Sequence, residues 1–287
     1  MREENGGTGS STVFSGKNGK NQRYLRKLPK PRETEAGGLD LRKRTLIITG
    51  ASRGIGRALA LELAQNGVNL VLNARSEEIL EEVASAVRRK GVHALTVIGD
   101  AALASNARNM VKAAIRIGEF TGFVHNAGTA HPGPFLYELP EEVFGNVWGS
   151  NVLAAYQIAR FSYPELHRRK SGLAVFFGSG AAERNVQGIG AYCLSKAAEE
   201  HLARQLAAEV PEITCFVYRP GAVETDLQKG ARQAKGSGAE MLHRVFGDMQ
   251  KQGIIITPEA AARGLVQIIK REPRRFHGKI ATYEDGL

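Results

Sequence analysis

The 287-residue chain is 43% hydrophobic and carries 33 glycines without a repeat, which bounds it to one large domain or two small ones with a proper core and many tight turns. Two cysteines, Cys193 and Cys215, are too few for a disulfide framework or a metal site; both are expected as small buried hydrophobes, in keeping with a reducing cytoplasm. The formal charge of +10 is mostly a property of residues 1–44, where eleven Lys and Arg face five Asp and Glu; only Tyr24 stands among those charges as a stacking partner and no recognition motif follows, so no nucleic-acid partner is expected.

Residues 1–40 are rich in Gly, Ser, Asn and Lys and carry scattered apolar residues with no sustained period. Such a segment buries too little surface to offset its ordering entropy, so a disordered or loosely docked basic tail is expected, followed by one catalytic domain over 41–287. The tail lacks the apolar stretch of a secretory signal, and no run of about 18 apolar residues marks a membrane span.

From Thr45 the texture changes. TLIIT (45–49) is a short apolar run bounded by glycine, a buried strand. A helix over 55–66 ends at Gly67, VNLVLN (68–73) is a second strand, and Ser76 is placed to cap a helix over 76–90 with acidic first-turn residues. HALTVIG (93–99), FTGFVHN (120–126), LAVFFG (173–178), ITCFVY (213–218) and GKIATY (278–283) read as further strands. Helices over 103–117, near 150–169, over 191–209 and within 259–271 alternate with them. That alternation predicts an α/β fold: a doubly wound, Rossmann-type parallel sheet of about seven strands with helices on both faces.

The first strand runs into Thr49-Gly50-Ala51-Ser52-Arg53-Gly54-Ile55-Gly56, which opens the first helix. Gly50 allows a tight exit from the strand, and Gly54 and Gly56 let backbone approach a pyrophosphate at the helix N-terminus. Where an acidic residue at the end of the second strand would select NAD, this chain has Ala74 followed by Arg75, and Arg53 supplies a second guanidinium. A missing carboxylate and two phosphate-binding forks predict NADP, with NADPH preferred over NADH.

Tyr192 is the only one of the seven tyrosines with a lysine four residues later, Lys196, and Ser179 lies upstream in FFGSGAAE. Residues four apart share a helix face, so phenol and ammonium can point into one pocket. An isolated phenol titrates near pH ~10, and a fixed cation favours the phenolate, which makes the pair suited to trading a proton beside a hydride carrier.

Together TGxxxGxG, Asn126-Ala127-Gly128, Asn151, Ser179, Tyr192-x-x-x-Lys196 and Pro220-Gly221 followed by Thr225 resemble the classical short-chain dehydrogenase/reductase family, over about Leu41 to Leu287. SGAAERNVQGIGAYCLSKAA and YRPGAVETDLQ further resemble its benzil-reductase and sepiapterin-reductase branch. The resemblance implies that Ser179 bonds the substrate oxygen, that Tyr192 protonates it, and that Lys196 binds the nicotinamide ribose and lowers the tyrosine pKa. It implies that Asn151 holds a water linking Lys196 to solvent, that Asp100 meets the adenine, and that Val223 and Thr225 anchor the carboxamide. His125 stands where the family often has a second asparagine, and a structural hydrogen bond is its expected role.

The expected activity is NADPH-dependent reduction of an activated ketone or vicinal dicarbonyl. Reduction of a 3-oxoacyl thioester or an alcohol dehydrogenase reaction stands second, and a non-catalytic dinucleotide sensor third. Apolar residues of 221–257 (Leu227, Met241, Leu242, Val245, Phe246, Met249) are expected to close over substrate, with Gly236 and Gly238 leaving the segment mobile. Apolar faces on 150–169 (Val152, Leu153, Tyr156, Ile158, Ala159) and 191–209 (Ala198, Leu202, Leu206) suggest a homodimer or homotetramer.

Overall fold

The computed structural model describes residues 38–287. Residues 1–37, on which most of the expectation for the tail falls, lie outside the described residues. Ordered packing already includes Leu39, whose N–H donates to the Ile269 carbonyl, and Leu41, which is buried.

Seven parallel strands form one sheet: β1 (Arg44–Thr49), β2 (Asn69–Ala74), β3 (Ala94–Ile98), β4 (Glu119–His125), β5 (Gly172–Phe177), β6 (Ile213–Arg219) and β7 (Ile280–Thr282). Their order is β3-β2-β1-β4-β5-β6-β7, so the chain reverses direction across the sheet between β1 and β4. Period-two alternation sorts the strand side chains. Leu46 and Ile48 face a core with α1 (Gly54–Gln65), α2 (Glu77–Arg88) and α9 (Pro258–Arg271), while Ile47 faces α3 (Ala104–Ile117), α5 (Ala154–Arg168) and α6 (Gly190–Glu209). With both faces covered, the strands read as continuous apolar runs, which is why they were legible. The ligand-binding crevice of such a sheet lies at the carboxyl ends of the strands, where the order reverses.

Three local expectations change. Ser76 occupies the N-cap of α2, but its side chain makes no capping bond. The helix expected near 150–169 begins earlier, as α4 (Glu141–Trp148), and reaches α5 through a π-helical turn over Gly149–Leu153. Residues 221–257, the least regular stretch by sequence, contain α7 (Asp226–Arg232) and α8 (Ala239–Lys251).

The expected outer stripes also divide. Ile158 and Ala159 are buried against the sheet, and Leu202 and Leu206 pack on the same core. Leu153 and Tyr156 stay exposed, with Trp148 one turn earlier.

Candidate active site

β1 delivers the glycine turn to the crevice. Gly50 has φ +66°, and a Cβ there would sit 2.8 Å from the Ala127 Cα, so only glycine leaves the strand this tightly. Gly56 serves the protein's own packing: a Cβ would lie 2.2 Å from the Gly50 carbonyl and 2.5 Å from Asn126 Nδ2. That differs from the approach to a pyrophosphate expected for it. Gly54, with φ +52°, instead faces the open side, where the nearest neighbour of a Cβ is the Thr225 methyl at 3.5 Å.

Helix α1 starts at Gly54 with Arg53 as N-cap and no side-chain capping bond, so first-turn N–H groups, including that of Ile55, are left for a ligand. Ser52 is half-buried beside them. The Arg53 guanidinium pairs across the crevice with Asp226 at 3.0 Å, both exposed. Arg75, after the buried Ala74, is exposed and makes no ion pair among the described residues. Asp100 caps its own turn, Oδ1 accepting the Ala102 N–H at 2.8 Å, and is exposed.

β4 is followed by Asn126-Ala127-Gly128, and two backbone donors there define a neighbour. The N–H groups of Asn126 and Ala127 both donate to Thr49 Oγ1 at 3.1 Å, while Asn126 Nδ2 donates to the Gly50 carbonyl at 3.0 Å. Adjacent strands β1 and β4 are thus cross-tied at the switch point. A Cβ on Gly128 would stand 3.2 Å from Asn151 Oδ1 and 3.7 Å from Lys196 Nζ, so the glycine admits both to one place.

Asn151 is fully buried in the π-helical turn. Its Oδ1 accepts the Thr129 N–H at 2.7 Å, and its Nδ2 donates to the Thr129 carbonyl at 3.0 Å and to Ser195 Oγ at 2.7 Å. The carboxamide therefore clamps the loop after β4 to α6.

Helix α6 carries Tyr192 and Lys196 on one face. Lys196 Nζ is 5.7 Å from the centre of the Tyr192 ring and donates to the Phe177 carbonyl and to Glu199 Oε2, each at 2.7 Å. Burial pulls the ammonium toward neutrality, but Glu199, with Tyr192 and Glu200 adding to it, holds the lysine pKa above its usual value. Ser179 sits at the end of β5 as cap of a short turn, its Oγ accepting the Ala181 N–H at 3.2 Å. Its own N–H donates to Glu200 Oε1 at 3.1 Å, and Arg219 at the end of β6 holds that carboxylate.

Glu199, Glu200, Thr49, Ser195 and Arg219 were not singled out by sequence reasoning. The one local signal for the first two is spacing: three and four residues after Lys196, they share its helix face.

After β6, Pro220 and Gly221 (φ +80°) turn the chain back. Val223 is buried and forms a bridge with Ile256, and Thr225 caps α7 by accepting the Gln228 N–H at 3.5 Å. Leu242 of α8 is fully buried in a cluster with Ile189, against which Tyr192, Cys193 and Phe246 pack. The mobility expected of Gly236 and Gly238 gives way to close backbone packing. The Gly238 N–H donates to the Gly133 carbonyl at 2.7 Å, and a Cβ at 238 would meet the Gly188 backbone at 2.4 Å.

Both cysteines are free thiols. Burial pushes Cys193 up and Cys215 up to about 12, so neither is poised as a nucleophile. Among the described residues no group of three or more His, Cys, Asp and Glu is placed to hold a metal ion, and no helix is long and apolar enough to cross a membrane.

A parallel sheet with a glycine turn at its switch point and a Ser, Tyr and Lys set beside it defines a dinucleotide-dependent oxidoreductase. The short chain dehydrogenase family matches residues 44–236, and the chain belongs to that family. An NADPH-dependent pterin aldehyde reductase of Arabidopsis thaliana is 35% identical over 186 residues, covering 64% of this chain and 76% of the relative. A 3-oxoacyl-acyl-carrier-protein reductase of Aggregatibacter actinomycetemcomitans is 35% identical over 188 residues, covering 64% and 77%. Among solved structures, an alcohol dehydrogenase from the archaeon Thermococcus sibiricus complexed with 5-hydroxy-NADP aligns with a TM-score of 0.69 at 29% identity, covering 83% of this chain and 95% of that one.

Proposed function

We propose that this enzyme reduces a small, partly apolar, activated ketone or vicinal dicarbonyl to the alcohol with NADPH in the cytoplasm. The dinucleotide fits the site on this chain's own features: an uncapped α1 start, a glycine at the open side of the turn, and no acid at Ala74 to repel a ribose phosphate. Bound there, it supplies the hydride.

The residues divide the remaining work. The first-turn N–H groups of α1 take the pyrophosphate; Arg75 takes the 2′-phosphate, with Arg53 beside it once released from Asp226. Asp100 meets the adenine, and Pro220, Gly221, Val223 and Thr225 border the nicotinamide. Ser179 Oγ donates to the substrate oxygen as negative charge gathers on it. Tyr192 gives that oxygen its proton, and Lys196 holds the ribose and steadies the phenolate left behind.

The observation that carries the substrate class is the apolar cover of Leu242 and Phe246 packed against the Tyr192 side of the site. A small apolar carbonyl fits beneath it. Relatives that act on a pterin aldehyde and on a 3-oxoacyl thioester, at equal identity, keep thioester reduction as the second reading. The two readings part on the ratio of kcat/KM for a vicinal diketone and a 3-oxoacyl thioester. A thioester advantage above about tenfold, roughly 1.4 kcal/mol in transition-state binding, overturns the first.

The enzyme is further proposed to work as a homodimer or homotetramer through Trp148, Leu153 and Tyr156, which stay exposed along α4, the π turn and α5. Light scattering at micromolar concentration tests this, and a monomer there overturns it.

A further inference from the structure

Behind Lys196 lies a second ionisable pair that the reaction as described does not use. Glu199 is wholly buried one turn along α6, and His125 is wholly buried at the end of β4. Glu199 Oε2 takes the lysine ammonium, while Oε1 has no hydrogen-bond partner and stands 3.8 Å from His125 Nε2, which also has none. A buried carboxylate is costly unless its charge is used, so this placement calls for a reason.

The protonation of the imidazole follows from its other side. Thr49 Oγ1 already accepts two N–H bonds, from Asn126 and Ala127, so its own hydrogen is donated to His125 Nδ1 at 3.0 Å. Burial keeps the ring neutral, with its pKa pushed down to about 3. The ring therefore carries its proton on Nε2, on the side of the Glu199 carboxyl, with the Asn151 main-chain carbonyl also beside it.

Resting on the role proposed for Lys196, we propose that Glu199 is a positioning residue: with the Phe177 carbonyl it fixes two of the three ammonium N–H groups of Lys196 and leaves the third for the cofactor ribose and the Tyr192 phenol. The anchor is an ion pair when Glu199 is ionised and a neutral hydrogen bond when it is not. Burial raises that carboxyl to about 7, against the pull of Lys196. Other ionisable groups lie around it. They are the Lys196 ammonium and Tyr192 on its own helix, Glu200 held by Arg219 of β6, and His125 from β4. Cofactor binding should therefore carry a Glu199-dependent step near neutral pH.

Glu199→Gln mimics the protonated carboxyl and isolates that step. Titrating full-length protein with NADPH, followed by its fluorescence, should give matching Kd values for E199Q and wild type near pH 6. Near pH 8 the variant should bind about tenfold more weakly, since one tenfold step is all that a modest loss of orientation requires. In cofactor-free protein, infrared difference spectra should show a carboxyl band titrating near neutrality in wild type and missing from E199Q. Equal Kd values at both pH values overturn the inference, as does an equal deficit at both, which would mark a packing role alone. Absence of the infrared band also overturns it. Lys196→Met is the separate control: NADPH binding unchanged in K196M overturns the role given to Lys196 itself, whereas K196M impaired with E199Q unaffected overturns only the anchor.

Discussion

Glu200 Oε1 accepts the Ser179 backbone N–H across 3.1 Å, so Ser179, the proposed donor to the substrate oxygen, is placed by the helix that carries Tyr192, the proposed proton donor. The carboxylate is 2% exposed and is gripped from the far side by Arg219, through Nε at 2.8 Å and Nη2 at 2.6 Å. Three segments distant in sequence, the ends of β5 and β6 and the middle of α6, are thereby locked in one register. Arg219 also reaches Glu183 at 2.8 Å, which extends the lock to the loop after Ser179.

Removing that carboxylate leaves the buried side of Arg219 with the exposed Glu183 alone and frees Ser179. Glu200→Ala is expected to cost about 3 kcal/mol in unfolding free energy, the usual scale for breaking a buried pair by deleting one partner. Urea denaturation measures it. A loss below about 1 kcal/mol, the range of exposed ion pairs, would mean the lock is superficial.

The reacting set separates by readout. Tyr192→Phe should abolish turnover with NADPH binding nearly intact, because it deletes a proton and little volume. Ser179→Ala should lower kcat by roughly 10²–10³, the cost of one donor aimed at developing oxyanion charge. Steady-state kinetics with a fluorescence Kd for NADPH check both. Turnover surviving in Y192F would refute the assignment of the proton donor.

How far the sequence revealed this depends on what each feature needs. TLIIT and LAVFFG were readable as strands because both faces of the sheet are covered, leaving no polar alternation to confuse them. Tyr192 and Lys196 were readable because helical spacing is local. Glu199 and Glu200 were not, since a carboxylate on a helix reads as solvated until its partners arrive, and Lys196 was the only one nearby in sequence. His125 and Arg219 come from other strands. The π turn holding Asn151 inserts one residue into an otherwise helical period, which spacing alone does not register. Gly238 looked like a hinge because a glycine's backbone contact with Gly133 and Gly188 leaves no mark in its own neighbourhood.

Cofactor choice should respond to the end of β2. Wild type is expected to prefer NADPH over NADH by at least about tenfold, or 1.4 kcal/mol. Arg75→Ala should erode this preference more than Arg53→Ala, because the Arg53 guanidinium must first leave Asp226. Ala74→Asp should reverse it, placing a carboxylate where the ribose 2′-OH is read and a phosphate is repelled. Ratios of kcat/KM for the two cofactors decide the matter, and equal use of NADH by wild type would contradict the prediction.

Stability against pH offers a check on the buried pair without cofactor. His125 falls from an ordinary 6.5 to about 3 on folding, so its contribution is present above 6.5 and is lost as pH drops toward 3. Glu199 rises from 4.5 to about 7, so its contribution is present below 4.5 and is lost as pH climbs through about 7. Between pH 4.5 and 6.5 the two slopes have opposite signs and offset each other, each limited to about 1.4 kcal/mol per pH unit. Single variants break the balance. Glu199→Gln leaves the histidine alone, so its unfolding free energy should fall, relative to wild type, as the solution is acidified across that window. His125→Asn leaves the carboxyl alone and should gain relative stability over the same range. Urea melts at half-unit pH steps measure both, and difference curves that stay flat in both variants would show that neither group is held away from its ordinary pKa.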